Sequence, residues 1–233
     1  MAYQGDIIIH TQADCSFMND ERFKEAYAKT VNIDKERLLG PESAYDIRWR
    51  VHTILWAAKH ALSVPGDFLD LGCGFGLLSA ALVNYLEFEK VNKKLFMVDS
   101  FCGMDEKRCS EEELERHKSL YQPMFGSNWE NGLRDDFDTY PNVEVIQGFA
   151  PEVLIKVPSN NFSFISIDLN SAFAEEDSLQ VLWPLLSKGG IIVFDDYAFP
   201  CHKDQKDAHD AFARENNVLI YTSPTGQGIL MKP

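Results

Sequence analysis

Basic residues are scarce in this chain of 233 residues. Twenty-two lysines and arginines stand against 36 aspartates and glutamates, a formal net charge of −14 with a pI near 4.8. An acidic surface of this kind repels phosphate backbones and anionic headgroups, so neither nucleic acid nor a membrane is expected as a partner. Cysteine is sparse as well. Cys15, Cys73, Cys102, Cys109 and Cys201 are odd in number, scattered, and never spaced as CxxC, which excludes a zinc framework or disulfide ladder and favours a reducing compartment. Long apolar runs are missing. The most hydrophobic segment, 68–86, is interrupted by Asp70 and three glycines and does not read as a membrane span. The opening stretch, MAYQGDIIIHTQADC, has neither a basic start nor an extended apolar core. No signal peptide is expected there, and the reading is a soluble, cytoplasmic protein.

What the chain does contain is enough apolar material, 45%, for one good core. The reading is a domain over 43–233 preceded by a helical extension over 1–42, which would serve as a lid or a dimer contact. Phe23, Ala26, Tyr27 and Thr30 recur at helical spacing within 19–30. Ser43, with Asp46 three residues on, is expected to open a long helix ending near 63–66. Strands and helices then alternate. Strands are expected at 67–71, 94–98, 143–146, 163–167 and 191–194. Helices are expected at 78–86, from the Ser110/Glu113 capping box, around 128–137, near 151–155, around 175–186 and at 204–215. Two closing strands, 218–222 and 228–231, are too close for a helical crossover and should pair antiparallel. The alternation predicts an α/β, doubly wound, Rossmann-like sheet, mostly parallel with an antiparallel C-terminal hairpin. Ligands in such sheets sit at the carboxyl ends of the strands.

Chemistry-bearing residues gather at those ends. The first core strand ends FLDLGCGFG, with Asp70, Gly72, Cys73 and Gly74. Glycines let the backbone turn sharply and approach a ligand. Leu77 stands where a dinucleotide fingerprint needs its third glycine, which argues against a nicotinamide dehydrogenase. Asp70 would repel a pyrophosphate and suits a cationic group, such as the amine of an amino-acid-like ligand. This Asp-x-Gly-x-Gly turn resembles motif I of the class I S-adenosylmethionine (SAM) methyltransferases. The second strand ends at Asp99 and Ser100, where an acid either accepts from both hydroxyls of a ribose or caps its own turn. The third strand leads into Gln147, Gly148 and Phe149, the loop that commonly borders the adenine in methyltransferases. The fourth ends at Asp168, with Asn170 nearby, and the fifth at Asp195 and Asp196. Adjacent carboxylates repel unless something cationic sits between them. Three of them at one rim suit a hard divalent ion such as Mg²⁺; the plainer reading has Asp195 or Asp196 capping the loop. His202 is either a proton acceptor with a suitable pKa or an ordinary loop histidine, while His52, His60 and His117 fall in helices.

Taken in order, YDIRWRVHTILWAAKHA, GDFLDLGCGFG, DSFCGM, ISIDLN, GGIIVFDDYAFPCH and TSPTGQGILMKP resemble the macrocin O-methyltransferase family, which methylates sugar hydroxyls. The resemblance spans 45–233. It implies a seven-stranded sheet with the last strand reversed, a Mg²⁺ site at Asp168, Asp195 and Asp196, and SAM as methyl donor, with Asp168 also close to the donor. Asp168 or His202 would take the acceptor's proton. A small hydroxylated acceptor is implied, a sugar or glycosylated metabolite. A catechol-type phenol would use the same metal logic, and a SAM-binding protein without catalysis would not need the three acids. The segment 102–132, with Tyr121, Phe125 and Trp129, reads as a lid over the acceptor or as a surface insertion. A homodimer or higher homo-oligomer is the default expectation.

Overall fold

The computed structural model of the chain describes residues 3–5, 8–10, 14–33, 46–120 and 129–233. Two short strands, β1 (Tyr3–Gly5) and β2 (Ile8–His10), pair antiparallel at the N-terminus, so the extension carries a hairpin ahead of its helix. Helix α1 (Glu21–Ile33) starts where Asp20 Oδ1 accepts from the Phe23 amide at 2.8 Å. It buries Phe23, Ala26, Thr30 and Ile33 on one face and packs against the first helix after the glycine turn. Helix α2 (Arg48–Ala61) is shorter than the sequence suggests. Ser43 lies outside the described residues, and Asp46 accepts from the Arg48 amide at 3.2 Å instead of completing a capping box.

The remaining elements are β3 (Asp67–Leu71), α3 (Leu77–Leu86), β4 (Leu95–Asp99), α4 (Glu111–Leu120), α5 (Trp129–Phe137), β5 (Val143–Gln147), β6 (Phe162–Ile167), α6 (Ala172–Leu182), β7 (Leu186–Phe194), α7 (Lys203–Glu215), β8 (Ile220–Thr222) and β9 (Gly228–Met231). Seven strands form one sheet in the order β5-β4-β3-β6-β7-β9-β8. β9 alone runs against its neighbours β7 and β8. The expected architecture is observed. Period-two alternation splits the core cleanly. Phe68, Met97, Phe164, Ile191 and Val193 meet α2 and α3 on one face. Leu69, Leu71, Phe96, Ile165, Ile192 and Phe194 meet Leu179, Leu182 and Phe212 of α6 and α7 on the other.

Several boundaries differ from expectation for local reasons. α6 begins at Ala172 because Ser171 caps it, accepting from the Ala174 amide at 3.3 Å. It ends near Pro184, which has no amide to donate. β7 therefore starts at Leu186, five residues before the strand expected at 191–194, and runs through Gly189 and Gly190 because Lys232 pairs with both. The expected helix near 151–155 is a 3₁₀ turn over Glu152–Lys156. The Ser110/Glu113 capping box forms as read: Ser110 N–H donates to Glu113 Oε2 and Glu113 N–H to Ser110 Oγ. Glu113 Oε1 also accepts from the Ala172 amide at 2.8 Å, tying α4 to the start of α6. Tyr121 and Phe125 lie outside the described residues.

Register places the chemistry. Leu71 pairs with Ile167, and Ile167 with Phe194, so Gly72, Asp168 and Asp195 emerge at one rim. The sheet order turns at β3, making this rim the switch point where a ligand crevice opens. Gly72 has φ +84°, and a Cβ there would fall 1.9 Å from the Asp168 carbonyl oxygen. At Gly74 (φ +53°) a Cβ meets nothing within 4 Å. Gly72→Ala should therefore cost more than about 3 kcal/mol of stability, whereas Gly74→Ala should cost about 1–2 kcal/mol, the left-handed backbone penalty alone. Urea unfolding of the two variants checks this; equal losses would contradict it.

Candidate active site

A cleft of about 460 Å³ opens along the rim. Asp70, Gly72, Cys73, Gly74, Asp99 and Ser100 line one end, with Gly148 and Phe149 beside them. Asp168, Asp195 and Asp196 line the other, so two groups of residues that the sequence reads separately face one cavity.

Asp70 is buried and its Oδ2 accepts from Ser79 Oγ at 2.5 Å. Burial pushes its pKa up to about 6; the Ser79 hydroxyl opposes this, and the charges of Asp99 and Asp195 add to it. A cation delivered to the cleft would relieve that strain. Asp99 caps its own turn and also faces the cleft. Its oxygens accept from the Gly74 amide at 2.9 Å and the Phe101 amide at 2.8 Å, bracing the glycine turn, while the residue still lines the cleft. Burial raises its pKa, against these backbone donors. Burial, with the charges of Asp99 and Asp70, also pushes the Cys73 thiol far up, which leaves it an inert wall.

Two sequence candidates sit elsewhere. Gln147 does not line the cleft: it is on the exposed side of β5, and its Nε2 donates to the Ser100 carbonyl at 3.3 Å. His202 is also absent from the lining and is buried behind Asp196, with Nε2 3.5 Å from Asp196 Oδ2 and Nδ1 bonded to Gln205 Oε1. Any influence of His202 on the cleft passes through Asp196.

The three acids converge. Asp168, Asp195 and Asp196 each offer one oxygen, all within 4.8 Å of one another. Burial raises the Asp168 pKa well above the carboxylate range, with the charges of Asp195, Asp196 and Glu175 adding and Arg50 opposing. Burial raises Asp195 as well, again against Arg50. Arg50, from α2, is the cation that the Asp-Asp pair demands: Nη1 donates to Asp195 Oδ2 at 2.5 Å and Nη2 to Asp196 Oδ1 at 3.2 Å. Gln227 Nε2 donates to Asp195 Oδ1 at 2.9 Å. Sequence reasoning missed both. Arg50 left a signal, since it falls on the same helical stripe as Ile47, Ile54 and Ala58, and a charge on an apolar face needs a buried counter-ion.

Asn170 supplies a further oxygen. Its Nδ2 donates to Asp168 Oδ1 at 2.9 Å, whereas its buried Oδ1 has no hydrogen-bond partner among the described residues. An all-oxygen donor set with an orphaned acceptor beside it fits a hard divalent ion.

A sheet in this order with a single reversed strand, a glycine turn after its central strand and acids ending the neighbouring ones, is the architecture of the class I methyltransferases. The comparisons agree. The family model described as Macrocin-O-methyltransferase (TylF) matches residues 41–222, and the chain belongs to that family. The 8-demethyl-8-(2,3-dimethoxy-alpha-L-rhamnosyl)-tetracenomycin-C 4'-O-methyltransferase of Streptomyces olivaceus is 26% identical over 178 residues. That match covers 72% of this chain and 64% of the relative's length. Among solved structures, the O-methyltransferase NovP superposes with a TM-score of 0.72 at 18% identity, covering 94% of this chain and 99% of its own. The calicheamicin methyltransferase CalS11 gives 0.67 at 14% identity, covering 91% and 93%. No helix among the described residues is long and apolar enough to cross a membrane.

Asp70 gives a test that needs no substrate. Its folded-state pKa of about 6 exceeds the ordinary 3.8, so its ionisation disfavours the fold. The penalty is absent below about pH 4, grows as pH rises, and levels off above about pH 6, reaching at most about 3 kcal/mol. Asp70→Asn, which keeps an acceptor for Ser79, should be more stable than the native chain by up to that amount at neutral pH and equal to it near pH 4. Denaturant unfolding across pH 4–7 measures the gap; a gap independent of pH would refute the assignment.

Proposed function

We propose that the chain is a SAM-dependent O-methyltransferase that acts on a hydroxyl of a sugar or glycosylated small molecule, with a divalent cation at its carboxylate cluster. The observation that carries this reading is one cleft lined at one end by the glycine turn with Asp70 and Asp99, and at the other by three converging carboxylates. The family supports O-methylation. The Streptomyces olivaceus relative is a rhamnosyl-tetracenomycin O-methyltransferase and CalS11 is described as a TDP-rhamnose 3'-O-methyltransferase, which favours a deoxysugar hydroxyl as acceptor.

Each residue then has a task. Asp70 pairs with the donor's amino group, Asp99 takes the ribose hydroxyls, and Phe149, at the cleft edge, offers a flat face to the adenine. Asp168, Asp195 and Asp196 would hold Mg²⁺ or a similar ion, with Asn170 Oδ1 as a further oxygen. Bound there, the ion would lower the pKa of the acceptor's hydroxyl and stabilise its oxyanion. Asp168, which lines the cleft within the carboxylate cluster, accepts the hydroxyl proton. The donor would supply the methyl group: as the hydroxyl proton passes to Asp168, the acceptor oxygen would bond the methyl carbon and the C–S bond would open with its electron pair left on sulfur. Holding oxygen, methyl and sulfur in line supplies much of the rate.

Calorimetric titration of chelator-treated protein with S-adenosylhomocysteine, with and without Mg²⁺, followed by an acceptor screen of sugar and phenol hydroxyls, tests the reading. Micromolar binding is expected, and no binding under either condition would remove it. Asp168→Asn should lower turnover at least ~100-fold while S-adenosylhomocysteine affinity stays near that of the native chain. Unchanged turnover would sink the role given to Asp168.

A further inference from the structure

Consecutive residues leaving a strand turn their side chains to opposite sides. Asp195 and Asp196 follow Phe194 directly, yet both contribute to one cluster with Asp168. Something must draw them to a common point. Arg50 makes contact with both at once. Nη1 donates to Asp195 Oδ2 at 2.5 Å and to the Asp195 carbonyl at 3.1 Å, and Nη2 donates to Asp196 Oδ1 at 3.2 Å. The guanidinium lies over the Phe199 ring, 4.6 Å from its centroid. Arg50 is 6% exposed, on a helix that packs against β6 and β7, so the fork has a rigid base. Gln227 holds the other Asp195 oxygen.

Charge and shape both bear on what the cluster can take. Three carboxylates and one guanidinium leave a formal charge of −2, which one divalent ion neutralises. A planar fork presents two donors in one fixed plane to two acids while lying on an aromatic ring; an ammonium is a point charge on a flexible stem and lacks that fixed two-donor plane.

We infer that Arg50 is a positioning residue for the carboxylate cluster: its fork, not its charge alone, orients Asp195 and Asp196 so that with Asp168 they form a site for one divalent cation. The inference rests on the divalent-cation reading proposed above and adds to it a residue outside the ligand set.

The test is a Mn²⁺ titration of chelator-stripped protein, read by loss of the free-ion electron paramagnetic resonance signal, for the native chain, Arg50→Lys and Phe199→Leu. S-adenosylhomocysteine affinity serves as the check on folding. The native chain should bind one Mn²⁺. Arg50→Lys should lose about 10–100-fold in Mn²⁺ affinity although the charge is kept, as is usual when a residue that orients metal ligands is replaced. Phe199→Leu removes only the ring under the guanidinium and carries the test if Arg50→Lys fails to fold; a loss of about three-fold is expected. Native-like Mn²⁺ affinity in a folded Arg50→Lys, or in Phe199→Leu where the lysine variant does not fold, overturns the inference and leaves the cation reading standing. A native chain that binds no Mn²⁺ overturns both.

Discussion

Three carboxylates at one sheet rim repel each other and lose water, and much of the surrounding structure is arranged around that fact. Desolvation of one acid beside two others is unfavourable by several kcal/mol unless positive charge and donors are supplied. Helix α2 supplies the charge through Arg50, the β8–β9 turn supplies Gln227, and the loop after β6 supplies Asn170. These come from sequence positions far apart, so the cluster also records that the sheet has closed in the right register. Leu71, Ile167 and Phe194 must be level before Asp168 and Asp195 can share a rim.

A second buried polar group steadies the same rim from behind. Glu175 Oε1 accepts from the Leu169 amide at 2.9 Å and from Gln205 Nε2 at 2.8 Å, and Oε2 lies 2.8 Å from His209 Nε2. Gln205 in turn reaches His202, which faces Asp196. α6 and α7 thus tie the loop carrying Asp168 to the loop carrying Asp196 through side chains that do not enter the cleft. A carboxylate only accepts hydrogen bonds, so Glu175 fixes the direction of the amide, and Gln205 presents its oxygen to His202 Nδ1. This explains why His202, in a plausible place for a proton acceptor along the chain, has a supporting position in the fold.

Much of this was legible in the sequence because sheet residues obey short-range rules. Period-two alternation, the glycine turn at Gly72–Gly76 and the spacing of acids after apolar runs locate β3, β4, β6 and β7 and the acids that end them. The Ser110/Glu113 box was readable because both partners are three residues apart. What escaped depended on distant partners. β7 extends back to Leu186 because Lys232 pairs across Gly189 and Gly190, and no local signal announces that. Gln147 points to the exposed side of an edge strand, and edge position is a property of the sheet order. Arg50 showed a local oddity, a charge on an apolar stripe, but its meaning needed the Asp-Asp pair 145 residues away.

The spacing of strands sets the kind of ligand that the cleft can hold. Asp99, Gly72, Asp168 and Asp195 end four adjacent strands, β4, β3, β6 and β7, in the order of the sheet. At about 4.8 Å per strand they span roughly 14 Å. That length suits an elongated molecule lying across the strand ends; on the proposed reading its hydroxyl-bearing part would lie at Asp99 and its reactive part toward the acids. The floor of the cleft is therefore set by the sheet and leaves little freedom in how such a donor lies. The walls are a different matter. Tyr27 and Val31 of α1, Ile47 ahead of α2, and Phe199 after β7 also line the cavity, and none belongs to a sheet strand. Contacts from outside the sheet are free to vary without disturbing its register. On the function proposed above, the N-terminal extension and loops would select the acceptor, while the sheet rim would hold the donor and the reacting groups.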